Sequence, residues 1–268
     1  MADGTVNLHI IRNHIGTPVK LDGSKQPIAF QIATGGNHLR PLVFNNYITG
    51  TDEPHIRGTA TLGTADNISM HRAVNAMVTH NCVSKAGELG INYSLGTIDS
   101  NIECNYVLAS DLTAINVQSS RTYPEPVYKS KGITISHNIV EAAGANAEKK
   151  RPEVIGGIYL DQMTDVTLYN NIIVGSGDVG AALYIRDSNT VNASNNSVPD
   201  HPSSRDIIRL ENTRDINIDG QIISTTVNRR AINPIEVSNS VSTFDANSTQ
   251  TNYQITKNYC SNTALLYR

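Results

Sequence analysis

The sequence lacks tryptophan, has only 3 cysteines in 268 residues, and is poor in aromatic (5%) and charged (17%) side chains. Three cysteines without a Cys-x-x-Cys pair argue against zinc and against a disulfide framework, so Cys82, Cys104 and Cys260 are expected as free thiols. A net charge of −3 withholds the electrostatic footprint of a nucleic-acid binder, and no such partner is expected. The low charge also argues against a disordered acidic or basic tail. No apolar run reaches the roughly 18 residues of a membrane helix, so no membrane span is expected. Met1-Ala2-Asp3-Gly4 carries neither the basic nor the apolar region of a signal peptide. The length permits one or two domains and a sizeable core without staples. What is abundant is Asn and Ile, each about a tenth of the chain. Asn favours turns and Ile favours pleated, half-buried surfaces, so many short strands joined by sharp corners are expected.

The corners repeat. Ile135-Ser136-His137-Asn138-Ile139-Val140 and Leu168-Tyr169-Asn170-Asn171-Ile172-Ile173 share one template: apolar, two variable, Asn, variable, apolar. The same template fits the segments around Asn13, Asn46, Asn81, Asn105 and Asn196, and Gln221 replaces Asn in an eighth copy. The apolar anchors Ile10, Val43, Val78, Ile102, Ile135, Leu168, Ala193 and Ile218 lie 33, 35, 24, 33, 33, 25 and 25 residues apart. The last copies register over a longer stretch: Ile158/Leu183/Ile208, Leu160/Ile185/Leu210, Val166/Val191/Ile216 and Ile173/Val198/Ile223 each recur at 25. A 25-residue unit with period-2 alternation is too short for a βαβ unit. It fits one coil of a parallel β-solenoid whose inward side chains stack into a continuous core. The longer intervals are the same coil carrying insertions, at about 16–27, 49–67, 120–130 and 141–154.

This pattern of period, apolar columns and recurrent Asn over about residues 5–240 resembles the pectate-lyase-like superfamily. That superfamily includes polysaccharide lyases, polygalacturonases, uronan epimerases and phage tailspikes. The resemblance implies an all-β fold, a single-stranded right-handed parallel β-helix of about 8–9 coils with an asparagine ladder. Residues 1–240 would form the helix and 241–268, where the repeat is lost, a C-terminal capping or assembly segment. An Asn at a tight bend can take a left-handed conformation and satisfy turn amides, so the Asn column reads as structural.

Function is then expected on outward columns and inserted loops. One outward column carries Asn116, Tyr159, Tyr184 and Arg209; the next carries Gln118, Asp161, Arg186 and Glu211. Ile91-Asn92-Tyr93-Ser94 precedes them, less certain in register. Tyrosine faces stack on pyranose rings, Arg presents a planar fork to a uronate carboxylate, and Asp and Glu serve as acid and base. Asp161, Arg186 and Glu211 are therefore the candidate catalytic residues. Tyr159, Tyr184, Arg209, Asn116 and Gln118 are the candidate substrate-binding residues. Opposite charges on adjacent strands also read simply as an ionic ladder.

The expected partner is a polysaccharide, bound and cleaved, with a lyase slightly favoured over a hydrolase. A lyase must neutralise a uronate carboxylate and remove the adjacent proton. In the resembling families a cation such as Ca²⁺ does the first, so Ca²⁺ is an open cofactor, and Lys, Arg, Tyr or His does the second. A neighbouring Arg would lower the Tyr184 pKa toward that use. The alternative is a non-catalytic structural or adhesive module of a phage tail or surface protein. A second alternative is a uronan C5-epimerase, because Asp52-Glu53-Pro54-His55 approaches the Asp-Pro-His motif of alginate epimerases, with Glu53 interposed. His71, His80 and His137 show no metal-ligand spacing and read as surface or edge residues. The Glu148–Arg151 charge run reads as a solvated loop. Gly156-Gly157 reads as a coil corner. The absence of a capping helix before Thr5 suggests a piece of a longer parent chain or a homotrimer. An extracellular, surface or virion location follows from the resemblance.

Overall fold

The computed structural model describes residues 5–16, 38–50, 66–108, 110–120, 122–123, 126–141, 156–174, 181–199 and 208–219, together with the backbone of strands 222–225, 235–237, 253–256 and 259–262. The chain forms a right-handed parallel β-helix of three all-parallel sheets, with eleven, seven and nine strands. Each regular coil contributes one strand to each sheet. In one coil, Lys131–Ser136 lies in the eleven-stranded sheet, Ile139–Glu141 in the nine-stranded sheet and Gly156–Asp161 in the seven-stranded sheet. Nine strands in one sheet agree with the expected 8–9 coils. Strands Tyr253–Thr256 and Tyr259–Asn262 extend two of the sheets.

All eight apolar anchors pair in register, from Ile10↔Val43 through Ala193↔Ile218. The 25-residue columns also hold, as in Ile158↔Leu183↔Ile208. These side chains form one continuous core running from Val43 to Ile218. Each fully buried Ile or Leu contributes about 1.5–3 kcal/mol of transfer free energy, so stacking supplies what isolated short strands lack.

The corner between the eleven- and nine-stranded sheets is an asparagine ladder. From Asn13 through Asn46, Asn81, Asn105, Asn138 and Asn171, each Nδ2 donates to the next Oδ1 at 2.8–3.0 Å, and Asn196 is the last acceptor. Each Oδ1 beyond the first also accepts the backbone N–H of the preceding rung, so every turn amide is satisfied. Gln221 lies outside the described residues. The left-handed residue of each corner is not the ladder Asn but the one before it: Arg12, Asn45, His80, Cys104, His137, Asn170 and Asn195, with φ between 51° and 57°. The ladder side chain stays inside and the preceding residue reverses the chain. Gly156 does not form a corner; it opens the strand Gly156–Asp161, and a Cβ there would lie 2.5 Å from the Ala181 carbonyl oxygen. Cys82 and Cys104 are free thiols, and burial pushes the Cys82 thiol up.

Candidate functional site

The three sheets differ in what covers their outer faces. In the eleven-stranded sheet burial alternates, as in Thr164–Tyr169, and in the nine-stranded sheet the flanking residues of Ile172–Val174 reach solvent. In the seven-stranded sheet, strands Leu89–Ser94 and Gly156–Asp161 are buried at every position. Polar side chains on its outer face are therefore enclosed, which is the informative kind of burial.

Two outward columns run along this face. The first reads Ser69, Asn92, Asn116, Tyr159, Tyr184 and Arg209, and the second His71, Ser94, Gln118, Asp161, Arg186 and Glu211. The register brings the eight sequence-derived candidates together and adds the Asn92 coil. Their exposure departs from the expected open strip. Asn116 and Tyr159 are fully enclosed, Tyr184 and Asp161 nearly so, while Arg186 is slightly open and Glu211 and Arg209 reach solvent. Tyr159, Tyr184 and Ala181 form a small apolar cluster separate from the core.

The rings are not free to stack on a sugar. Tyr159 and Tyr184 pack together with centroids 5.1 Å apart, and the Arg186 and Arg209 guanidiniums lie over them at 5.4 and 4.9 Å. Arg186 grips Asp161 in a fork, Nη2 to Oδ2 at 3.0 Å and Nε to Oδ1 at 3.3 Å. Glu211 accepts from the Tyr184 hydroxyl and, at 3.1 Å, from Arg209 Nη2. The Tyr184 pKa is pushed up to about 12. Burial is the first cause and the hydrogen bond to Glu211 the second; together they outweigh the lowering by Arg209 and Arg186. The expected lowering by a neighbouring Arg is thus reversed, and Tyr184 is protonated at neutral pH.

Sequence reasoning named Asn116 and, without firm register, the Asn92 strand, but missed Asp66, Ser69 and His71 on the same face. Asn116 Nδ2 donates to Asn92 Oδ1, and Asn92 Nδ2 donates to Asp66 Oδ2, both at 2.7 Å. Asn92 Nδ2 also reaches Ser69 Oγ at 3.3 Å, and Ser69 Oγ shares a hydrogen bond with His71 Nε2 at 2.9 Å. Burial lowers the His71 pKa. His71 is therefore part of an enclosed polar network rather than a surface histidine. Its signal was its register with Gln118 and Asp161, hidden by the uneven coil lengths.

Among the described residues no group of three or more His, Cys, Asp or Glu side chains is arranged to hold a metal. Asp161 and Glu211 each face a guanidinium, which disfavours a second cation, so the strip does not fit Ca²⁺. The 52–55 segment and the 148–151 charge run lie outside the described residues. Among the described residues no helix is long and apolar enough to cross a membrane.

No protein-family model matches the sequence, and no curated protein sequence matches it. The fold is shared with solved structures. The Dettilon tailspike protein superposes with a TM-score of 0.56 at 13% identity, over 85% of this chain and 39% of its own. A periplasmic alginate epimerase gives 0.53 at 11%, over 84% and 51%. DFA-IIIase from Arthrobacter chlorophenolicus A6, solved with DFA-III, gives 0.53 at 14%, over 96% and 65%. This chain therefore spans from about two fifths to two thirds of their lengths.

Proposed function

We propose that the protein is a carbohydrate-active β-helix that holds a polysaccharide against the C-terminal half of the seven-stranded sheet and cleaves it. The observation that carries this reading is the cluster of charged side chains opening to solvent at Glu211 and Arg209 on the one outer face that is otherwise enclosed. Neighbours named for alginate and for DFA-III support this reading. In this reading Glu211 is the carboxylate that meets the scissile bond and activates water, and Arg209 and Arg186 hold an acidic or hydroxyl-rich chain. Asp161 fixes the Arg186 fork, and the half-buried Gln118 continues the binding row, with the enclosed Asn116 behind it. Hydrolysis is favoured over elimination because the Tyr184 hydroxyl is engaged by Glu211 beneath the Arg209 guanidinium and holds its proton at neutral pH, which suits it poorly as the base of an elimination. The tailspike and periplasmic neighbours favour a surface, virion or periplasmic location.

A second reading, a structural or adhesive module, is favoured by the self-satisfied ladder of Asp161, Arg186, Tyr184 and Glu211. Incubation with uronate and neutral polymers separates the readings. New reducing ends without unsaturated ends, lost in Glu211→Gln while binding is kept, are expected. Unsaturated ends would replace hydrolysis by elimination, and neither cleavage nor binding on any polymer would leave the structural module.

A further inference from the structure

The loop that leaves strand Thr113–Gln118 and returns at Lys131 forms a fixed wall beside the second outward column. Ser120 N donates to the Tyr128 carbonyl and Tyr123 N to Ser120 Oγ, closing the loop on itself around the short turn Pro126–Tyr128. Ser130 Oγ accepts the amides of Gly96 and Thr97, and Ser119 Oγ donates to the Gln162 carbonyl, tying the loop to the coils on both sides. Gly96, at φ 91°, lets the loop lie flat: a Cβ there would sit 1.9 Å from the Val127 carbonyl oxygen.

The outer surface of this wall is aromatic and cationic. Tyr123 is 49% exposed and packs on Tyr128 with centroids 4.9 Å apart. The Arg72 guanidinium lies 5.5 Å from the Tyr128 ring centre. Lys129 Nζ donates to Gln162 Oε1 at 3.2 Å and to the Ser120 carbonyl at 3.3 Å, both neutral acceptors. No carboxylate among the described residues neutralises it. Arg72 follows His71, and Gln162 follows Asp161, so the wall spans three coil steps, roughly 14 Å, along the same column.

From this we infer that the Tyr123–Tyr128 platform, flanked by Arg72 and Lys129, is a carbohydrate subsite for an acidic sugar unit of a chain running along the second column. This deepens the polysaccharide reading and rests on it. The exposed tyrosine face supplies what the enclosed Tyr159 and Tyr184 cannot, an apolar surface for a pyranose ring. Lys129 supplies a point charge for a carboxylate or sulfate. Tyr123 and Tyr128 are both tied to Ser120 by hydrogen bonds, so binding there pays little ordering entropy.

The test is retention in gels containing uronate, sulfated or neutral polymers, with cleavage measured in parallel. Tyr123→Ala and Lys129→Ala should each weaken binding to acidic polymers about fivefold to tenfold, the scale of one lost aromatic or charge contact, with Tyr123→Phe close to the parent. The turnover rate on any cleaved polymer should be unchanged while KM rises. A parent protein that binds and variants that bind equally well would overturn the subsite and leave the polysaccharide reading standing. A parent that binds no polymer would overturn both. Equal losses on neutral and acidic polymers would overturn the acidic assignment.

Discussion

Replacing Asn138 by Ala removes one rung from the middle of the ladder. The Asn138 side chain is fully buried and makes four hydrogen bonds. Its Nδ2 donates to Asn171 Oδ1 at 3.0 Å and to the Ile102 carbonyl at 2.9 Å. Its Oδ1 accepts from Asn105 N and Asn105 Nδ2, both at 3.0 Å. At a net value of about 1 kcal/mol each, with the buried Asn105 N–H left without its acceptor, the loss is about 3–5 kcal/mol. That corresponds to a fall in Tm of roughly 5–9 °C for a chain of this size. Asn13→Ala is the internal control. Asn13 is exposed at the end of the ladder and its side chain makes only two bonds, to Asn46 Oδ1 and the Ile11 carbonyl, so its loss costs about 1 kcal/mol. Asn138→Asp keeps the shape but cannot donate, and sets a carboxylate against Asn171 Oδ1; it should be as damaging as Ala at neutral pH and partly relieved by acid. Urea unfolding followed by circular dichroism measures all three. A central substitution no more costly than the terminal one would refute the claim that the rungs act through buried amide bonds.

Other outcomes follow from single contacts. Arg186→Met breaks the enclosed pair with Asp161 and should cost about 3–5 kcal/mol, whereas Asp161→Leu combined with Arg186→Met should recover most of that in the same unfolding assay. The Tyr184 pKa is raised in the folded state, so its contribution to stability is present below about pH 10 and lost as pH rises toward about 12; burial also pushes Tyr93 well up and the Glu141 hydrogen bond raises Tyr106, so a phenolate absorbance titration should show several tyrosines ionising late, and Tyr184→Phe should lower the amplitude of that late step by one tyrosine. The His71 pKa is lowered by burial, so stability holds above pH 6.5, its ordinary value, and falls as the pH drops below it; His71→Gln should flatten that acid limb. Gly96→Ala should displace the 119–130 loop, at about 1–3 kcal/mol, and weaken polymer retention without moving the core strands, as read by hydrogen exchange.

The coils were legible because they obey two local periods at once. Inward Ile and Leu alternate every second residue, and the Asn recurs at each corner, so Ile135 and Leu168 could be aligned without any structure. The side of the sheet on which Tyr159, Asp161 and Arg186 sit followed from the same alternation. Their burial did not, because alternation reports only which side of a strand a residue occupies and not what packs on the outside. The direction of the Tyr184 shift was misjudged for the same reason: counting neighbouring arginines omits desolvation, the largest cause. The left-handed residue was assigned one position late because Asn tolerates that conformation best, yet in each ladder corner the preceding residue adopts it, even where it is Arg, His or Cys. The Tyr123–Tyr128 pair was invisible because the contact is made across an insertion that shares no period with the coils.

The asymmetry among the three sheets bears on function more than any single residue does. A solenoid of this kind needs inward apolar columns and a satisfied corner, and the eleven- and nine-stranded sheets show that the fold stands with outer faces open to water. Enclosing Asn92, Asn116, Asp161 and Arg186 on the third face gains nothing that apolar side chains of similar volume would not supply better, since buried ion pairs roughly break even against hydrophobic replacements. An enclosed polar row opening to solvent at Arg209 and Glu211 fits the preorganised site of the proposed reading. The ladder corner bears hydrogen bonds of comparable quality but repeats Asn from Asn13 to Asn196, whereas the second outward column, from His71 to Glu211, changes residue type at each step. Uniform repetition suits a structural corner, and variation along the second column fits the proposed polysaccharide reading, in which a polymer would meet a distinct subsite at each coil.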